Sequence, residues 1–170
     1  MLKTMLPETI DPSRLVKQNR ILTGVIPLES LHHLHPMLAG EKGNITAHVE
    51  GATSSGCPEG VLHCLIEGHL VVQCQRCLSD LRLPISERFS IAPVRRLEQE
   101  ECLPETVMGW VLEDEEKPSL WLVMEEMLVL SVPLVPKHKD ENCLAWKSDA
   151  KEQKNQANNP FGELATLFKK

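Results

Sequence analysis

No tyrosine occurs among the 170 residues, and three Phe and three Trp supply the whole aromatic content of 4%. The chain therefore has little ring surface on which unpaired bases could stack. Positive charge is also short, since 18 Lys and Arg against 24 Asp and Glu leave a net charge of -6. A protein that coats nucleic acid without selectivity needs many cationic contacts to release counterions from phosphates, so that class is excluded, while a local basic face is not. No uninterrupted apolar run reaches the roughly 18 residues of a membrane helix. The longest candidate, residues 120–136, carries Glu125 and Glu126 in its middle. The start, Met-Leu-Lys-Thr-Met-Leu-Pro-Glu, meets charge and proline too early for a secretory signal. The six cysteines are accordingly expected as reduced thiols in a soluble, cytoplasmic protein with no membrane association. A nucleotide-binding glycine loop, a nucleophile elbow and a His-Glu-x-x-His helix are all missing, so no enzyme is expected.

What is present is alternation. A hydrophobic share of 42% is enough for a core without disulfide or metal support. In residues 61–74, Leu62, Cys64, Ile66, Leu70, Val72 and Cys74 take alternate positions, with His63, Glu67, His69 and Gln73 between them. That period of two marks a half-buried strand. Leu81, Leu83, Ile85, Phe89 and Ile91 then alternate with Arg82, Ser86, Arg88 and Ser90, so a second strand returns with one apolar and one wet, basic face. Residues 44–50 repeat the pattern, giving three antiparallel strands in succession, a meander. Weaker strands are expected at 20–26 and 106–112, and Gly68 suggests a bulge. Short helices are expected at Ser13 to Gln18 and along Leu28, Leu31, Leu34 and Leu38, where Pro36 ends or kinks the stripe. His32, His33 and His35 are read as solvated surface in preference to a metal site, because adjacent helical residues diverge.

A longer helix should run from a Ser119 cap to about Val132, before Pro133. Its apolar residues leave only Glu125 and Glu126 as a polar side, so it must be buried on more than one face, by default against the sheet. Beyond Leu144, residues 145–158 read as a flexible polar linker, with one large apolar residue. Residues 159–170 place Phe161, Leu164, Leu167 and Phe168 on one stripe, an amphipathic peptide suited to its own sheet or to another molecule. The expected fold is thus an α+β domain over residues 1–144, with an antiparallel meander, a packed long helix and a tethered C-terminal peptide.

Two features could carry chemistry. Cys74-Gln-Arg-Cys77 sits where the strand at 61–74 reverses into the next, which aims two thiols at one point, half of a zinc knuckle. His138 and Cys143 are the only other well-spaced donors, and Cys74, Cys77, His138 and Cys143 would make a four-ligand site if the fold closes the gap. A redox pair and idle thiols remain open alternatives, and Cys57, Cys64 and Cys102 read as structural or incidental. The second feature is segregated charge: residues 76–96 hold Arg76, Arg82, Arg88, Arg95 and Arg96 against two acids, whereas 98–116 hold eight acids and no Lys or Arg. Solubility explains this, and so does an arginine face for RNA beside an acidic surface for a basic protein.

Ile-Asp-Pro-Ser-Arg at 10–14, Val-Val-Gln-Cys-Gln-Arg-Cys-Leu at 71–78, Ala-Pro-Val-Arg at 92–95, Glu-Glu-Met-Leu-Val-Leu-Ser-Val-Pro-Leu-Val-Pro-Lys-His at 125–138 and Asn-Pro-Phe-Gly-Glu-Leu-Ala at 159–165 occur in this order. In order and spacing they resemble the bacterial YceD proteins, the large ribosomal RNA subunit accumulation family. The resemblance implies a non-enzymatic role in the synthesis, processing or stability of 23S ribosomal RNA and in large-subunit assembly. In part of that family the second half of the cysteine motif looks like two cysteines, where this chain has His138 and Cys143, a pair compatible with one structural zinc. The expected partner is a ribosomal RNA precursor, touched by the five arginines, or a large-subunit ribosomal protein. An acidic adaptor for a basic ribosomal protein is the alternative reading, and a zinc or thiol enzyme the second. The oligomeric state stays open.

Overall fold

The computed structural model describes residues 4–54, 56–112, 117–140 and 143. The expected linker and C-terminal peptide, 145–170, lie outside the described residues, as do the acids at 113–116. Five strands form one sheet in sequence order: β1 (Ile21–Pro27), β2 (Asn44–Ser54), β3 (Cys57–Gln73), β4 (Asp80–Val94) and β5 (Met108–Val111). The first four are antiparallel neighbours, and the β3 and β4 hairpin pairs without interruption from Leu62↔Ile91 to Gln73↔Asp80. The expected meander is β2, β3 and β4, and β5, outside it, runs parallel to β4. A parallel neighbour needs a crossover, and a short 3-10 helix, Leu97–Cys102, lies in that connection.

Strand alternation decides what each face does. One face carries Val49, Leu62, Ile66, Leu70 and Ile91, all buried. It is covered by α1 (Pro12–Lys17), by the leucine-rich stretch 28–38 and by α2 (Leu120–Ser131). Asp11 caps α1 by accepting from the Arg14 amide, and Pro12 suits the first turn. Gly51 is where α1 crosses the sheet: a Cβ there would strike the Leu15 carbonyl. Gly68 is a second close approach. It pairs regularly with Ile85, and a Cβ would meet Ile45 Cδ1 at 2.6 Å, so the expected bulge is absent there and the strand irregularity falls at Ala52/Ser54.

The leucine stripe at 28–38 does not become one helix. Pro36 confines it to two 3-10 turns, Leu28–Ser30 and His35–Met37, yet Leu28, Leu31 and Leu34 are all buried. α2 has the expected Ser119 cap, whose hydroxyl accepts from the Leu122 amide. Its burial differs from expectation. Leu120, Val123, Met124 and Leu128 face the core, Leu130 is 75% exposed, and Glu125 is buried rather than on a polar side. The Glu125 oxygens accept from the His33 amide at 2.6 Å and the Leu34 amide at 3.2 Å, and one meets His33 Nδ1 at 2.9 Å. One acid therefore ties the 28–38 stretch to α2. The start of α2 is held by Leu120 donating to the Glu8 carbonyl and by Trp121 Nε1 donating to Leu6.

The opposite sheet face is open along much of its length and bears His48, His63, Leu65, Arg82 and Arg88. At the β5 end a second small core, Cys57, Val61 and Ala92 with Leu103 and Val107 against it, covers this face. No helix among the described residues is long and apolar enough to cross a membrane.

Candidate metal centre

The β3 to β4 turn is built to hold sulfur. The Cys74 amide donates to the Ser79 carbonyl at 2.9 Å, and the Leu78 amide donates back to the Cys74 carbonyl at 2.9 Å, closing a tight loop around Cys77. This closure puts Leu78 at φ 59, a left-handed conformation that costs a branched side chain about 1–2 kcal/mol. The segment after α2 then returns to the tip. Pro136 accepts from the Gln75 amide at 2.8 Å, and Arg76 Nη1 donates to the Asp140 carbonyl at 3.1 Å.

Those tethers bring together Cys74, Cys77, His138 and Cys143, whose donor atoms lie within 4.8 Å of one another. A tetrahedral zinc with sulfur at about 2.3 Å has donor separations of about 3.8 Å, so a small contraction would close the set. His138 Nε2 lies 3.2 Å from the Asp80 carbonyl, which can only accept. The ring proton therefore sits on Nε2, and Nδ1, 3.4 Å from Cys77 Sγ, faces the sulfurs as a ligand would. Three soft thiol donors and one imidazole are a group that could hold a metal.

The electrostatics favour the ligand forms unequally. Burial resists ionisation of Cys74, but the amides of Cys77, Arg76 and His138 and the Cys77 thiol bring it down to about 5. Cys77 is lowered, chiefly by the Ser79 hydroxyl at 2.9 Å and the Ser79 amide. His138 is raised, first by its hydrogen bond with Cys74. Cys143 is raised by burial and by the neighbouring sulfurs of Cys77 and Cys74.

The other donors expected from the sequence lie elsewhere. Cys57 and Cys64 are buried and Cys102 is exposed, and all six cysteines are free thiols. His32 and His35 rings meet edge to face at 5.2 Å, while His33 binds Glu125. The five arginines do not form one surface. Arg82 and Arg88 share the open face of β4, Arg76 is bound to Asp140 at the centre, and Arg95 and Arg96 lie past the far end of β4, about 40 Å of strand path from Arg82. Sequence spacing gave no sign of the groove beside the centre, because its walls come from three separate segments.

A mostly antiparallel α+β sheet domain, whose longest hairpin carries a three-cysteine, one-histidine cluster at its tip, is the class that fold and site define. The chain belongs to the YceD family: the family model described as "Large ribosomal RNA subunit accumulation protein YceD" matches residues 62–168. A relative of that name from Haemophilus influenzae (strain ATCC 51907 / DSM 11121 / KW20 / Rd) is 24% identical over 179 residues, covering 100% of each chain. No solved structure matches the chain.

Proposed function

We propose that this protein is a non-enzymatic factor that supports the synthesis, processing or stability of 23S ribosomal RNA, and so the assembly of the large ribosomal subunit. The observation that carries the reading is membership of a family described by large ribosomal RNA subunit accumulation, with a full-length relative of that name. The site is consistent with it. Cys74, Cys77, His138 and Cys143 offer four donors, the complement of a closed structural zinc, which leaves no position for substrate or water. A zinc held there by Cys74, Cys77, His138 and Cys143 would tie His138 and Cys143 to the hairpin tip and supply structure in place of chemistry.

Direct contact with the RNA precursor falls to Arg82 and Arg88 on the open sheet face, and the working compartment is the cytoplasm. Replacing both with Ala should lower co-sedimentation with ribosomal precursors, most clearly at low salt, with folding stability changed by less than about 0.5 kcal/mol. Purification from the native cells at low salt, with and without nuclease, tests the whole reading. Recovery of 23S precursor that nuclease or salt removes supports it. A second reading, an adaptor for a basic ribosomal protein, draws on the exposed Glu98, Glu100, Glu101 and Glu105 near β5. One basic protein retained after nuclease would favour that reading.

A further inference from the structure

Beside the metal centre lies a groove of 490 Å³ that the cluster does not use. Its apolar walls include Met37, Pro133, Leu134 and Pro136, brought from the 28–38 stretch and the segment after α2. Leu134 is 99% exposed and Met37 38% exposed, so neither is explained by the core. The polar rim is Gln73 and Asp80, from the strand ends that meet at the tip, and Gln75 from the turn between them. Among the described residues the side chains of Gln75 and Asp80 have no hydrogen-bond partner, although the Asp80 carbonyl receives His138 and the Gln75 amide binds Pro136. Fixed backbone thus presents free side-chain groups.

Charge around this groove points to an anion. Arg82, Lys137 and Lys139 are exposed at this end, against the exposed acids Asp80 and Asp140, and none of the three cations has an ion-pair partner among the described residues. At the opposite end of β4, Arg95 and Arg96 are outnumbered by the exposed Glu98, Glu100, Glu101 and Glu105, so the balance there is negative. A polyanion is therefore drawn to the metal end and repelled from the other. A flat apolar wall, a hydrogen-bonding rim and flanking cations are together what an unpaired nucleotide requires: a cover for the base, partners for its edge and charge for its phosphates. With no aromatic ring in the groove, the base is covered by aliphatic and proline surface rather than stacked. Asp80 selects among bases. A carboxylate accepts from two adjacent N–H groups, which the guanine edge offers at N1 and N2, whereas adenine turns an acceptor toward it.

We infer that the groove between Met37, Leu134 and the Gln73–Asp80 rim is a site for an unpaired guanine of an RNA strand whose phosphates run along Lys137, Lys139 and Arg82. The inference rests on the RNA reading above and gives it a location and a base. Its test is binding of the full-length, zinc-supplied protein to a short fluorescent oligouridine carrying one central guanosine, against the same strand carrying adenosine. The guanosine strand should bind about tenfold more tightly, and Asp80→Ala should erase the difference. Leu134→Ser should weaken both strands about fivefold, and the near-complete exposure of Leu134 keeps that variant folded. Equal affinity for the two strands, unchanged by either substitution, overturns the groove assignment. If 23S precursor still copurifies in an Arg88-dependent way, only the groove falls. If no RNA is bound at all and a protein occupies this surface, both readings fall.

Discussion

Cys64 and Cys74 are both buried, the first within β3 and the second just past its end, and their thiols are driven in opposite directions. Cys64, on the core face between Val49 and Phe89, has only a 3.8 Å contact with the Leu62 carbonyl, and burial pushes it up to about 12. Burial also resists ionisation of Cys74, yet the amides of Cys77, Arg76 and His138 converge on its sulfur and hold it near 5. What separates a core thiol from one able to serve as a metal ligand is thus the turn behind it. A ladder spends its amides on the neighbouring strand, and a tight reversal leaves them free to point at a side chain.

The largest effect expected from this contrast is on metal content. Cys74→Ala should reduce bound zinc from one per chain to none and lower thermal stability sharply, because residues 136–143 lose their anchor on the hairpin. Cys64→Ala should keep the zinc and cost about 1 kcal/mol of packing. Metal analysis and urea unfolding of the two variants check this, and retention of stoichiometric zinc by Cys74→Ala would remove the cluster as a metal site. Glu125 extends the comparison to oxygen, as a buried acid held by donors. Glu125→Leu should cost about 2–3 kcal/mol in urea unfolding, since the His33 and Leu34 amides are left without an acceptor. A smaller, graded effect concerns pH. Cys143 is raised, so its thiol keeps a proton that zinc must displace, and His138 is raised, so its ring takes up a second proton at higher pH than an ordinary imidazole, while Cys74 is already a thiolate above about pH 6. Protons therefore compete with the metal, and zinc affinity measured against a chromogenic chelator should fall as pH falls from about 8 to about 6.

The alternation that makes β2, β3 and β4 was legible because period two survives any tertiary context that buries one face. The four donors were legible for a related reason: Cys-x-x-Cys at a reversal fixes two ligands locally, and few other donors had spacing to match. The direction of β5 was not legible, since four residues carry no signal of which way they pair. Glu125 also misled, because its sequence neighbour Glu126 suggested a polar helix side, and only the fold supplies the His33 and Leu34 amides that bury it. Five arginines within 21 residues read as one patch, but β4 extends them over a length that separates its ends.

The smallest predicted effect concerns what the donor-rich turn costs. Leu78 takes φ 59 so that its amide can close on the Cys74 carbonyl, and its side chain is 64% exposed. Glycine would adopt that conformation freely, relieving about 1 kcal/mol, but would lose about 0.5–1 kcal/mol through the greater freedom of its unfolded chain. The bonds that define the turn use the backbone of residue 78, including its carbonyl, which accepts from Gln73 Nε2 at 3.2 Å. Leu78→Gly should therefore keep zinc at one per chain and change stability by less than about 0.5 kcal/mol. A loss above about 1.5 kcal/mol would mean that the leucine side chain stabilises the folded tip. The contrast between Cys64 and Cys74 would then rest partly on apolar contact as well as on amide direction.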